Sequence, residues 1–133
     1  NLRASTARHR DYAQAEEDQA RQRWAWREFF ERYDVLVTPV TSTVAFPHDH
    51  SEPVAGRTLT VNGEVTPYFS QLFWAGLAVG GHLPATAMPV GLSADGLPVG
   101  MQIVGGAYRD RTTIWLAGQL EKLVGGFRPP PGY

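Results

Sequence analysis

Leu83-Pro84-Ala85-Thr86-Ala87-Met88-Pro89-Val90-Gly91 and, past Leu92-Ser93-Ala94, Asp95-Gly96-Leu97-Pro98-Val99-Gly100-Met101-Gln102-Ile103-Val104-Gly105 are the residues on which the fold turns. The first run is apolar without helical spacing and reads as extended. Pro84 and Pro89 restrict where it can pair, because proline brings no N–H to a ladder. Ser93 to Pro98 is rich in turn formers. Met101-Gln102-Ile103-Val104 is a short run of the buried-strand type, closed by Gly105-Gly106.

Downstream, Asp110 is placed to cap a last helix with Ile114, Ala117, Leu120 and Val124 inward, and Arg128-Pro129-Pro130-Pro131-Gly132-Tyr133 cannot continue it. Upstream, Thr66 as N-cap and Pro67 at the first helical position open another helix. There Phe69, Leu72, Phe73 and Gly76 mark one face, and Tyr68, Trp74, Leu77 and Val79 fill much of the rest. A helix apolar nearly all round is expected to be buried nearly all round, and Gly80-Gly81 to stop it. Over residues 58–65, Thr58-Leu59-Thr60-Val61, Asn62-Gly63 and Glu64-Val65 spell a hairpin, since Asn-Gly supplies the φ > 0 pair of a type I′ turn. Residues 38–56 carry Pro39, Pro47 and Pro53 and read as loop. Val35-Leu36-Val37 is a short buried strand of the type found in parallel or mixed sheets.

Residues 1–34 hold seven basic and seven acidic side chains and read as one long amphipathic helix. Trp26, Phe29, Phe30 and Tyr33 form its apolar stripe, and Glu17/Arg21 and Glu28/Arg32 its i, i+4 pairs. The expected fold is therefore α/β, with helices flanking a mixed sheet and one hairpin. Three helices and about three core strands do not cover one another on every side. One domain is expected, of which residues 1–133 are a part, with the 1–34 helix followed by a strand/helix segment over 35–133.

The formal charge of −1, with twelve basic and thirteen acidic residues, and the lack of any basic run clear of acidic neighbours argue against nucleic acid or anionic lipid as main partner. Without cysteine there is no disulfide, thiolate nucleophile or Cys-ligated metal, a usage that suits the cytoplasm. No stretch approaches a membrane span. Asn1-Leu2-Arg3-Ala4-Ser5 has neither an initiator Met nor an apolar leader, as though something upstream had been removed.

Catalytic constellations are absent at the level of sequence. Ser5, Ser42, Ser51, Ser70 and Ser93 have no nucleophile-elbow or Gly-Ser-rich context, and Lys122, the sole lysine, falls on the solvated side of an amphipathic helix. No glycine pattern forms a phosphate cradle. Glu16-Glu17-Asp18 is surface charge on an arginine-rich helix. His48-Asp49-His50, with Glu52 nearby, leaves three readings open: metal ligands, a rim facing substrate, or a solvated loop. His9 and His82 lie at no suggestive spacing, so no metal or cofactor is expected.

The proline-framed strand and the Gly-Leu-Pro turn leading to Gln102-Ile103-Val104-Gly105 resemble the C-terminal part of amidase signature enzymes. Asp34-Val35-Leu36-Val37-Thr38-Pro39 is similar to that family's preceding strand. Ala45-Phe46-Pro47-His48-Asp49 is similar to a loop of its general bacterial members more than to the tRNA amidotransferase subunits, and Gly125-Gly126-Phe127 with the proline tail to its closing segment. The resemblance implies an amide hydrolase that forms an acyl-enzyme on a serine, assisted by a second serine in a cis peptide and a lysine base. No position of this chain matches that Gly-Ser-rich motif, so no catalytic residue carries over. The chain is then expected to supply sheet, packing and part of a pocket wall for a small amide, with the N-terminal catalytic part as its partner. Loops at strand C-termini usually build sites in α/β sheets, which selects Thr38, Pro39 and Phe46, with Trp74 added as an aromatic on a helix lacking a polar face.

Two rival expectations remain: a binding or interaction module without catalysis, and a metal hydrolase built on His48, Asp49 and His50. Exposed apolar faces and strand edges also predict self-association, with the first helix or the hairpin exchanged between copies.

Overall fold

The computed structural model describes residues 6–129 and residue 132. The expected start of the first helix, Asn1 to Ser5, and Pro130, Pro131 and Tyr133 of the tail lie outside the described residues. Among the described residues the order is α1 (His9–Phe29), β1 (Val35–Pro39), β2 (Thr58–Val61), β3 (Glu64–Pro67), α2 (Leu72–Gly81), β4 (Ala85–Leu92), β5 (Pro98–Gly105) and α3 (Asp110–Val124). None of these helices is long and apolar enough to cross a membrane.

The proline-framed stretch folds as the hairpin β4–β5, and β1 pairs with the other edge of β5, giving the order β1-β5-β4. Both pairings are antiparallel, so these three strands contribute no parallel ladder to a mixed sheet. Pro89 occupies an edge strand, where a missing N–H costs least, and Pro84 lies just before that strand. After Pro89, opposite Gly100, the register jumps to Gly91 opposite Val99, leaving Val90 as the extra residue of a β-bulge. Opposed residues share a face. Val37, Ile103 and Thr86 lie on one side of the sheet and Thr38, Gln102 and Ala87 on the other.

Helix α3 covers the first face. Its inward stripe is Thr113, Leu116, Ala117 and Leu120, whereas Ile114 and Val124, expected inward, are exposed. The helix turned because Thr113, 1% exposed, found polar partners in the core: its hydroxyl donates to the Asp110 carbonyl at 2.9 Å and stands 2.8 Å from the Thr86 hydroxyl. Asp110 lies in the first turn of α3 instead of capping it; Arg109 is the N-cap residue. Ile103 and Val104, fully buried, form the centre of a small core with Met88.

On the opposite face Gln102 reaches α2, and α1 packs against α2. Gly81 sits where a Cβ would come within 2.8 Å of the Trp26 ring, so glycine there permits the close approach of the two helices. The left-handed residue that ends α2 is His82, φ 52°. Helix α2 begins later than expected, at Leu72. Thr66 and Pro67 instead complete β3, opposite Leu59 and Thr58, with the Thr66 hydroxyl donating to the Leu59 carbonyl at 3.3 Å. The hairpin turns at Asn62 (φ 52°) and Gly63 (φ 84°). A 3-10 turn, Tyr68–Gln71, leads into the helix.

Two burial expectations fail together. Helix α2 buries only Ala78 and Gly81 and leaves Leu72, Phe73 and Val79 exposed, and Val37 in β1 is half exposed. The cause is the same: β1 is a sheet edge, and among the described residues only α1 lies along α2. In α1, Arg21 pairs with Glu17 at 3.4 Å and Asp18 at 3.1 Å. Glu28 and Arg32 do not pair, since the helix ends at Phe29 and the i, i+4 spacing no longer applies. Trp26, Phe29, Phe30 and Tyr33 form a continuous aromatic chain, with successive ring centroids 4.7–5.9 Å apart.

Candidate functional site

Thr38 is buried near the end of β1, directly opposite Gln102 in the ladder, and its hydroxyl donates to the Pro39 carbonyl at 3.1 Å. Gln102, 6% exposed, donates from Nε2 to the Trp74 carbonyl at 2.8 Å. The first turn of α2 is thus tied to the sheet face that carries Thr38 by a residue that sequence reasoning did not select. The signal was present: a glutamine inside an apolar strand run must find a partner when buried. The Trp74 ring is half-buried and packs edge-on against Phe73 at 5.1 Å. Pro39 is exposed, opposite Met101.

Phe46 stands elsewhere. Its ring meets Tyr68 edge-on at 6.1 Å, and both line a shallow groove of about 270 Å³ between the 43–49 loop and strand β2, with Leu59 at its floor. The fold therefore splits the candidate residues: Gln102 is the ladder partner of Thr38 and the hydrogen-bond donor to Trp74, while Phe46 packs with Tyr68.

Among the described residues, none of the chemistry-bearing clusters assembles into proton-transfer machinery. His48 and His50 are exposed, with ring centroids 5.8 Å apart, and no group of three potential metal ligands occurs among the described residues. The Ser51 hydroxyl and its backbone N–H, the latter at 2.9 Å, hold the exposed Asp49 carboxyl below its ordinary value, which fixes the loop as an Asx-type turn. Ser70 donates to Thr66 at 3.4 Å, and Ser93 accepts the Leu97 N–H at 3.2 Å within the β4–β5 turn. Lys122 is spent on Gln119 at 3.1 Å along the exposed side of α3. Among the described residues no serine hydroxyl is hydrogen-bonded to a histidine or lysine; Ser5 lies outside them. What the arrangement offers is a buried polar tether from Gln102 to the Trp74 turn beside the aromatic rings of Phe73 and Trp74.

The sequence profile described as Amidase matches residues 1–114. The chain is 36% identical over 104 residues to a glutamyl-tRNA(Gln) amidotransferase subunit of Rhodospirillum rubrum, covering 78% of this chain and 19% of that protein. It is 31% identical over 121 residues to a fatty acid amide hydrolase of Medicago truncatula, covering 91% and 19%. A shorter segment of 48 residues is 54% identical to fatty-acid amide hydrolase 2-A of Danio rerio, covering 36% and 9%. The chain spans about a fifth of the length of the first two of these relatives. With a profile match over most of its length, and the Gln102 strand and its proline-framed partner folded as one hairpin, the chain belongs to the amidase family.

Proposed function

We propose that this chain is the C-terminal part of an amide-bond hydrolase, to which it contributes sheet, packing and part of the wall of the substrate pocket, and that it is inactive alone. The observation that carries the reading is the family match over residues 1–114 joined to relatives about five times longer than the matched segment. The chemistry that goes with it is attack of a serine hydroxyl on the carboxamide carbonyl. A lysine takes the serine proton, ammonia or an amine departs, and water then releases the acid from the acyl-enzyme. Serine, bridging serine and lysine lie in the N-terminal part. Oriented backbone N–H groups there carry the oxyanion.

In this reading Thr38, Pro39, Phe46 and Trp74 contact or flank the substrate, a small free amide, and Gln102 holds the Trp74 turn in place. The similarity of residues 45–49 to general bacterial amidases supports a free amide over an aminoacyl-tRNA. The cysteine-free composition supports a cytoplasmic location, and the exposed apolar side of α2 supports self-association of the isolated chain, which light scattering would register.

A fluorophosphonate probe tests the assignment. Reacted with the complete gene product that carries this chain, it is expected to label one serine, mapped to a peptide outside these 133 residues, with loss of amide hydrolysis in proportion to labelling. An activity-abolishing adduct on Ser42, Ser51, Ser70 or Ser93 would overturn it.

A further inference from the structure

A second concavity, whose lining includes none of Thr38, Phe46 and Trp74, lies between the C-terminal half of α1, the end of α2 and the loop after β5. It is an open groove of about 810 Å³, within the size range of small-molecule sites. Arg23 and Arg27 from α1 and Arg109 from the loop face it together with His82, against a single carboxylate of the lining, Glu31. In a chain whose formal charge is −1, this is a local concentration of positive charge, and it is built from residues far apart in sequence.

The three arginines and His82 differ in what already engages them. Arg27 lies over the Trp24 ring at 5.5 Å, a stacking that orients the guanidinium and leaves its edge N–H groups available. Arg109 has only a loose contact with Asp34 at 4.0 Å, and Arg23 has neither an ion pair nor a hydrogen bond among the described residues. His82 is pinned by Gln19 at 2.9 Å, which ties α1 to the end of α2 and holds two walls of the groove together.

Two large aromatic surfaces stand at the same place. Trp24 is 66% exposed and Tyr108 99% exposed. Tyr108 is also held at φ 63°, a conformation that bulky residues rarely adopt, and no packing of its ring compensates for it. Residues held in sparsely populated backbone regions cluster at active sites, ligand clamps and switch regions.

We propose that this groove binds an organic anion, in which a carboxylate or phosphate engages the Arg23 and Arg27 guanidinium groups and a flat apolar body lies against Trp24 and Tyr108. Planar guanidinium forks suit both oxyanions, and the aromatic faces supply the apolar contact that inorganic ions cannot use.

Calorimetric titration of the complete gene product with 2-naphthoate, 2-naphthyl phosphate and the neutral 2-naphthalenemethanol tests it. At least one anion is expected to bind about tenfold or more tightly than the alcohol, and whichever binds identifies the group recognised. Arg23→Gln and Arg27→Gln are each expected to weaken that anion about tenfold, as is usual for loss of one charge-assisted contact, and Tyr108→Ala to weaken both anion and alcohol. Both arginines are solvent-exposed, so folding is preserved, which circular dichroism checks. Equal affinity for anion and alcohol, or unchanged anion affinity in both arginine variants, overturns the proposal. The two readings fail separately: an affinity unchanged in the variants leaves the hydrolase assignment standing, and a misplaced serine adduct leaves the groove standing.

Discussion

Gln102 donates from Nε2 to the carbonyl of Trp74 at 2.8 Å, joining the central strand of the sheet to the first turn of α2. Because the amide is buried, its loss is felt as both a missing bond and a polar group without its donor. Gln102→Leu, of similar volume, is expected to destabilise the protein by about 1–3 kcal/mol. Urea unfolding would register this as a lower midpoint at unchanged slope. An unchanged midpoint would show that the tether contributes nothing.

The Thr86 and Thr113 hydroxyls form a directional chain. Thr113 has one hydroxyl proton, and that proton goes to the Asp110 carbonyl, so Thr86 is the donor in the 2.8 Å contact between them. Thr113→Val removes both interactions inside a site that is 1% exposed and is expected to cost about 1–2 kcal/mol. Thr86→Val, which leaves the Asp110 bond intact, costs less. The double variant should be more stable than the sum of the single losses, and strict additivity in the cycle would exclude a shared bond.

Gly105, the glycine of the Gln-x-x-Gly run, is constrained by α3. A Cβ there would lie 2.7 Å from Cγ2 of Thr113, closer than real carbon contacts. Gly105→Ala is expected to cost about 1–3 kcal/mol through overpacking. Thr113→Ser deletes that methyl and keeps the hydroxyl, so Gly105→Ala in the Thr113→Ser background should cost clearly less. Equal penalties in both backgrounds would place the constraint elsewhere.

Phe46 and Trp74 carry the substrate-wall assignment in two separate places. In the complete enzyme, Phe46→Ala and Trp74→Ala are expected to reorder kcat/KM among a panel of amides while shifting the melting temperature little. A uniform loss for every amide that follows a lower melting temperature would make both residues purely structural.

How much of the structure is legible in the sequence varies with the range of the interaction involved. Asn62-Gly63 is local chemistry, and the turn forms at those two residues. The start of α2 is not legible in the same way: Thr66 and Pro67 are good helix openers locally, but their partners Leu59 and Thr58 across the hairpin claim them for a strand. Ile114 reads as inward because periodicity ranks side chains by hydrophobicity alone. Thr113 takes the inner position because Thr86, a long-range neighbour, offers a hydroxyl. Of the candidate wall residues, Thr38 and Trp74 can be chosen from their neighbours in sequence, but Gln102, which relates them, draws its meaning from contacts with both.

The amino-acid sequence by itself determined the α/β class, the Asn62-Gly63 hairpin and the family it resembles, since each depends on residue types and short spacings. Tertiary structure alone decided which face each helix presents, that Phe46 sits with Tyr68 away from Trp74, and that arginines 23, 27 and 109 share a groove with His82. Those relations arise when α1, the end of α2 and the loop after β5 meet. No local propensity encodes a contact between groups separated by most of the chain.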